Sequence, residues 1–209
     1  NGSLSRYNLV DQSIDEYFDA TGVDSGASTG ASRNAAGKYY SGTGVDPTGG
    51  TITTHGSYTV HTFLLADTGT DFTPGVSGNV SALVVAGGGG SGYAYGGGGG
   101  AGGFQTDATH AVTAQAYTIT GGDGGAGKTS TSGGWTYGLN GGDSVFNTIT
   151  STGGGGGGGA LIDVPNADGR DGGSGGGCGL SGGGETAGAG NTPSTSPSQG
   201  NDGTVGHDA

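Results

Sequence analysis

Large apolar residues alternate with polar ones in short segments of this chain. The clearest case is Tyr58-Thr59-Val60-His61-Thr62-Phe63, which follows the β-prone residues Thr51–Thr54 and a turn signal at residues 55–57. This spacing predicts a β-hairpin with one covered face. Residues 79–85 form a further segment, which ends in the continuous apolar run Ala82-Leu83-Val84-Val85. That run predicts a strand buried on both faces.

Three predicted strands, at residues 79–85, 114–120 and 145–150, lead into glycine. The glycine stretches that follow strands include Gly87–Gly90, Gly121-Gly122 and Gly153–Gly159, and a further run spans Gly96–Gly100. Glycine has no side chain to bury, so an ordered glycine run must pack through its own backbone groups. The regular form suited to this is polyglycine II, an extended helix with three residues per turn and no internal hydrogen bonds. Several such helices side by side would satisfy each other's N–H and C=O groups.

These patterns predict an all-β chain, in which a small β-sandwich carries a packed layer of polyglycine II helices and follows an irregular connector. We place the connector at residues 1–49 and the glycine-rich domain at residues 50–209, with its C-terminal end incomplete. Apolar residues between positions 7 and 18 have roughly helical spacing and predict a short helix within the connector. The chain lacks a first Met and a closing strand, so we expect a piece of a longer protein.

Composition narrows the range of functions. Only 29% of the residues are hydrophobic, so the apolar core must be small, and no apolar run is long enough to predict membrane insertion. The net charge of -12 would repel a phosphate backbone and argues against nucleic-acid binding. The single Cys178 excludes an internal disulfide and a zinc site built from cysteines.

One segment matches the formula of a phosphate-binding loop. Gly122-Asp123-Gly124-Gly125-Ala126-Gly127-Lys128-Thr129 fits GxxxxGK[ST]. Such a loop works by leading into a helix whose N-terminus faces the phosphates, but residues 130–134 are a poor start for a helix. The match is therefore interpreted as accidental, and no cofactor is predicted. Nucleotide binding at Lys128 would be the test of an enzyme.

Other titratable residues give no pattern of a catalytic or metal site. His55 and His61 could approach each other on the hairpin, yet no third ligand is evident, so both are interpreted as surface residues of a strand. Aspartates recur near turns, where Asp commonly bonds its own backbone, and calcium binding is the alternative. These are Asp107, Asp123, Asp143, Asp163, Asp168 and Asp171. We predict no metal, no catalytic residues and no enzyme activity.

Aromatic residues interrupt the glycine region in two places. Tyr93 and Tyr95 flank Ala94, while Trp135 and Tyr137 flank Thr136. Rigid aromatic side chains at loop tips are favoured contacts for protein partners and sugars. They are our candidates for receptor contact. The alternative is that they cap and shield the ends of the glycine layer.

The motif strings Tyr58-Thr59-Val60-His61-Thr62-Phe63 and Leu83-Val84-Val85-Ala86, each near glycine, resemble the glycine-rich domain of bacteriophage tail-fibre and adhesin proteins. The glycine-rich extracellular region of the anaplastic lymphoma kinase family is also similar. The resemblance implies a structural virion protein at the virion surface, involved in host attachment. It further implies a homo-oligomer, trimeric as in fibres, with other virion proteins and a host cell-surface receptor or glycan as partners. A non-viral extracellular binding module or surface adhesin is the alternative, which glycan at the sequons Asn1-Gly2-Ser3 and Asn79-Val80-Ser81 would favour.

Overall fold

The computed structural model describes residues 31–33, 39–41, 46–130, 136–159, 167–180 and 184–205. The helix predicted between positions 7 and 18 lies outside these residues. Within the predicted connector, β1 (Ala31–Arg33) and β2 (Tyr39–Ser41) pair as an antiparallel hairpin. The small-residue composition of this segment had not indicated strands.

The other strands are β3 (Thr51–His55), β4 (Tyr58–Thr62), β5 (Asp71–Phe72), β6 (Gly78–Val85), β7 (Phe104–Val112), β8 (Tyr117–Thr120), β9 (Ser144–Phe146) and β10 (Ile149–Ser151). All pairings are antiparallel. One sheet has the order β10-β9-β8-β5, and β3-β4 and β6-β7 form separate two-stranded sheets. The one helical turn among the described residues is the 3-10 turn Leu65–Asp67. The prediction of an all-β chain is confirmed.

An aromatic core lies between the sheets, because β6 and β7 lie against β9 and β10. Phe72 is buried at its centre, with edge-to-face rings at centroid distances of 6.4 Å for Phe63 and 5.8 Å for Phe146. The buried residues Val112, Tyr117 and Ile119 also belong to this small cluster. Edge-to-face pairs add about 0.5–1.5 kcal/mol each beyond the area that they bury.

Two predictions about strand burial were wrong. The face of the β3-β4 hairpin that carries Tyr58 and Val60 is exposed. On the opposite face only His61 is half-buried, with its ring 5.1 Å from that of Phe72 between centroids. In β6 the buried side chain is Val84, whereas Leu83 and Val85 are 60% and 53% exposed. The β6-β7 sheet is covered on one face alone, so its continuous apolar run does not mark burial on both sides.

The glycine stretches form an array of parallel and antiparallel extended helices, which we number PG1 to PG9 in chain order. Their ranges are PG1 86–92, PG2 96–103, PG3 121–128, PG4 136–143, PG5 152–159, PG6 167–172, PG7 174–180, PG8 186–191 and PG9 199–205. Hydrogen bonds between them repeat at every third residue. PG1, for example, donates from Ala86, Gly89 and Gly92 to carbonyls 103, 100 and 97 of PG2. This repeat is the signature of polyglycine II.

PG5 occupies the middle of the array, and Gly153–Gly159 are all buried. Its N–H groups turn by about 120° at each residue because the helix has three residues per turn. Gly154 accordingly donates to Gly87 of PG1, whereas Gly155 donates to Ser174 of PG7. Its carbonyls accept from PG2, PG4 and PG6. The run of seven glycines in PG5 is therefore surrounded by other glycine helices on most of its sides.

The chain path separates the two ends of the array. PG1 to PG5 each join a β-strand at one end, which we call the sandwich end. At the opposite end, which we call the distal end, residues 93–95 connect PG1 to PG2. The C-terminal ends of PG3 and PG5 and the N-terminal ends of PG4 and PG6 also lie there, as the hydrogen bonds between antiparallel neighbours show.

Candidate functional site

The turn at Tyr93–Tyr95 lies at the distal end, as the farthest point of the first pair of glycine helices. The N–H of Tyr93 donates to the carbonyl of Thr136 at 2.8 Å, which fixes the turn to the start of PG4. The carbonyl of Tyr95 accepts from Leu180 at 3.2 Å, at the end of PG7. The turn is thus held from both sides by other helices.

Two consecutive residues of this turn adopt the left-handed backbone region, Ala94 and Tyr95, each with a φ of 46°. That conformation costs a non-glycine residue roughly 1–2 kcal/mol. The chain uses glycine freely on both sides of the turn but not here. The Tyr95 side chain is 87% exposed, and the neighbouring Leu180 is 47% exposed. An exposed aromatic ring is therefore held in place by a strained backbone.

Tyr137 has a different environment. It is half-buried, and the guanidinium of Arg170 lies over its ring, 4.4 Å from the centroid. A cation over an aromatic face is attracted by the ring quadrupole. Tyr137 belongs to a contact between PG4 and PG6 along the side of the array.

Asn140 and Asp143 continue the same face of PG4 at three-residue spacing from Tyr137. The Asn140 Oδ1 accepts from the N–H of Gly156 at 2.9 Å, and the Asp143 Oδ1 accepts from Gly153 at 2.8 Å. The Asn140 Nδ2 donates to the Asp171 carbonyl at 3.0 Å. These side chains occupy the position beside PG5 where a further helix would lie, and we call it the sealed position.

Of the candidates for receptor contact, Tyr93 and Tyr95 lie together at the distal end, whereas Tyr137 lines the sealed position. Trp135 lies outside the described residues. Sequence reasoning had missed Leu180 and Arg170, since each is a single large side chain among glycines. It had also missed the sealed position, for which the three-residue spacing of Tyr137, Asn140 and Asp143 was a readable signal.

The segment that matches a phosphate-binding loop forms PG3. Its N–H groups at Gly125 and Lys128 donate to the carbonyls of Gly88 and Ser91, at 2.8 and 2.9 Å. A phosphate cradle needs such N–H groups to converge on an empty space. In PG3 these N–H groups point away from the helix axis and bond to carbonyls of PG1. The described part of this segment therefore does not form a phosphate cradle.

The histidines do not come together. His55 pairs with Tyr58 and His61 with Ile52, so alternation along the strands places the two histidines on opposite faces of the hairpin. His61 bonds the Gly49 carbonyl through Nδ1 at 2.8 Å. Among the described residues, no group of three or more His, Cys, Asp or Glu side chains could hold a metal ion.

Several aspartates accept N–H groups from other segments, which differs from the expected bonding to their own local backbone. Asp168 accepts from Thr186 at 2.6 Å and Asp171 accepts from Ala189 at 2.7 Å, as Asp143 does from Gly153. Asp163 lies outside the described residues. The carboxylates supply acceptors to glycine helices where a neighbouring backbone does not.

Asp107 forms a polar cluster in the sandwich. It accepts from the Thr109 N–H at 3.0 Å and from Nδ1 of the buried His110 at 3.1 Å. The other ring nitrogen of His110 then accepts from the Asn147 amide at 3.0 Å. The Thr109 N–H first, and then the His110 hydrogen bond, lower the pKa of Asp107 below its ordinary value of 3.8. These groups are mutually satisfied, as expected of a structural cluster.

No helix in the described parts of the chain is long and apolar enough to span a membrane. No curated protein and no solved structure matches the chain significantly. The profile of the family described as "Glycine-rich domain" matches residues 65–209, which is most of the chain and includes every glycine helix. The protein therefore belongs to the glycine-rich domain family.

Proposed function

We propose that this protein is a structural segment of a phage tail fibre or adhesin that takes part in host attachment. The glycine array serves as a rigid platform, and the distal turn at Tyr93–Tyr95 contacts a receptor or glycan on the host surface. In this proposal the protein acts on the virion surface, with other virion proteins as partners and in a homotrimeric fibre. The resemblance of the sequence to tail-fibre proteins supports this assembly.

The observation that carries the proposal is the exposed Tyr95 on a strained turn. If stability alone determined the residues of a turn with positive φ at two positions, glycine would be expected at both. Strain of this kind is concentrated at binding and catalytic sites, where the surrounding structure holds it in place. The neighbouring exposed Leu180 adds apolar area to the same surface, as in a contact patch built on an aromatic anchor.

The rigidity of the platform supports the same function. Each of the first five glycine helices is bonded to its neighbours at three-residue intervals and anchored in a strand at the sandwich end. A turn held by such a scaffold loses little conformational entropy when it binds, so more of the contact energy contributes to affinity. The net charge of -12 favours solubility at the virion surface.

Binding of the fluorescently labelled protein to a panel of Gram-negative bacteria tests the proposal. Tyr95→Gly should reduce binding to a strain that binds the native protein at least tenfold, because the aromatic contact is removed. The same substitution should leave the protein as stable or more stable, since glycine relieves the strain. Thermal unfolding measures that second effect.

Ala94→Gly is the matched control, because it relieves strain in the same turn and keeps Tyr95. It should retain binding within about twofold. Equal binding by the native protein and Tyr95→Gly would remove the role of this turn in attachment. Failure of the protein to bind any bacterium in the panel, while a known adhesin binds, would argue against the attachment function as a whole.

A further inference from the structure

A second position beside the array is bordered by three helices, and none of the described residues forms a further helix there. PG7 bonds to PG2 on one side and to PG9 on the other. Between them lies a groove of about 340 Å³, which we call the open groove. It is lined by Ala101, Gly102, Phe104, Ser174, Ser198, Gln199, Gly200 and Asn201.

The three-residue repeat identifies the backbone N–H groups on this side of PG2, where Ala101 lines the groove and Gly98 lies one turn further along the same face. On PG2, Gly97 and Gly100 donate to PG5, while the carbonyls of Gly98 and Ala101 accept from PG7. The N–H groups of Gly98 and Ala101 must then point about 120° away from PG5, on the groove side of PG7. Within the described residues, neither N–H has a hydrogen-bond partner, and both residues are exposed.

The sealed position shows how side chains close a place beside the array where a further helix would lie. There, Asn140 and Asp143 accept N–H groups of PG5, and the Arg170 guanidinium lies over the ring of Tyr137. In the open groove the corresponding contact is weaker. Ser174 Oγ accepts from the N–H of Asn201 at 3.4 Å, near the limit for a hydrogen bond.

The spacing of the free N–H groups selects the kind of chain that fits. Gly98 and Ala101 lie three residues apart, which corresponds to about 9 Å along a polyglycine II helix. A β-strand presents groups on one side every two residues, about 6.6–6.8 Å apart, and would fall out of register. A second three-residue helix presents its carbonyls at the matching interval. It must also be rich in glycine, because the helices of this array approach at backbone distance.

We propose that the open groove binds an extended glycine-rich segment of a polypeptide other than this chain, which adds to the array as a further polyglycine II helix. The segment accepts hydrogen bonds from Gly98 and Ala101 and continues the lattice formed by PG2, PG7 and PG9. This site lies along the side of the array and is separate from the distal turn of the proposed receptor contact. It would join the domain laterally to a glycine-rich partner.

A synthetic peptide of seven glycines flanked by two lysines at each end is the probe. Amide hydrogen exchange in the full chain, followed by NMR, should slow at least tenfold at Gly98 and Ala101 when the peptide is added. Exchange at Gly97 and Gly100 should not change, because their N–H groups are already bonded to PG5. Ser174→Leu places a bulky group in the groove and should weaken binding at least tenfold, whereas Ala126→Leu, exposed on PG3, should not.

A peptide with the same lysines but valine at three of the seven glycine positions controls for attraction to the acidic protein. Equal protection by both peptides would overturn the proposal, since charge alone would explain it. Unchanged exchange at Gly98 and Ala101 with millimolar glycine peptide would also overturn it, and this result needs no variant. Protection that grows with protein concentration in the absence of peptide would overturn it in favour of a second copy of this chain.

Discussion

Individual glycines of the array differ in what an added methyl group would meet. A Cβ at Gly157 of PG5 would overlap the backbone of Gly97 on PG2, and one at Gly158 would overlap Ala167 of PG6. A Cβ at Gly98 would meet nothing within 4 Å. The requirement for glycine is therefore set by position in the array and differs between residues of similar sequence context.

Gly157→Ala should lower the free energy of unfolding by about 1–3 kcal/mol, because backbone of two helices must move apart to admit the methyl group. Gly98→Ala should change it by at most about 0.5 kcal/mol, as expected for an exposed site. Chemical denaturation of both variants measures the difference. Equal losses would show that alanine acts through backbone propensity and that close packing of PG5 is not the cause.

The lowered pKa of Asp107 makes a contribution to stability that depends on pH. A carboxyl whose pKa is lower in the folded than in the unfolded protein stabilises the fold above its unfolded value, and this stability is lost as pH falls through the folded value. The substitution Asp107→Asn removes this pH-dependent contribution to stability. The difference in Tm between the native protein and Asp107→Asn should stay constant above about pH 5 and shrink below the ordinary pKa of 3.8. A difference that is the same at pH 3 and pH 7 would contradict a role for the Asp107 charge.

At the scale of elements, polar side chains complete glycine helices at the border of the array. Asn140 and Asp143 accept N–H groups of PG5, and Asp168 and Asp171 accept N–H groups of PG8. Each pair is spaced by three residues, so both members lie on one face of their helix. At the border of the array, these side chains supply the hydrogen-bond acceptors that the backbone of another helix would supply.

Asn140→Ala should destabilise the protein by about 1–3 kcal/mol, because the N–H of Gly156 loses its acceptor in a buried position. Asp123→Ala is the control, since Asp123 is exposed on PG3 and its side chain makes no hydrogen bond among the described residues. Thermal unfolding should show a Tm lower by several degrees for Asn140→Ala alone. Similar Tm values for both variants would mean that water satisfies Gly156 as well as Asn140 does.

The elements were predictable where backbone chemistry alone determines them. Glycine runs can order only through their own N–H and C=O groups, so a polyglycine II helix could be predicted at Gly153–Gly159. Burial was less predictable, because it depends on which layers exist. Leu83 and Val85 are as apolar as Val84, but nothing among the described residues covers the outer face of β6. The conformation of Tyr95 was not predictable either, since the neighbours that hold its turn are Thr136 and Leu180, far away in the chain.

At the scale of the whole molecule, the sandwich and the array are joined many times. PG1 to PG5 each follow or precede a β-strand, whereas no described residue between PG6 and PG9 belongs to a strand. Loosening the sandwich should therefore release the ends of the first five helices together. The later helices depend on lateral hydrogen bonds to PG2, to PG5 and to each other, and Gln199 at the start of PG9 also accepts from Phe104 and Thr152.

This architecture predicts the effect of removing the centre of the aromatic core. Phe72→Ala should cost about 3–5 kcal/mol, since a large buried ring and its edge-to-face contacts are lost. If sandwich and array unfold as one unit, amide exchange should accelerate at Gly154 and Gly157, which donate to PG1 in the middle of the array. NMR-detected exchange measures both sites against Gly98, whose exposed N–H should exchange rapidly in either protein. Acceleration confined to the strands, with Gly154 and Gly157 unchanged, would show that the glycine array is stable without the sandwich that anchors it.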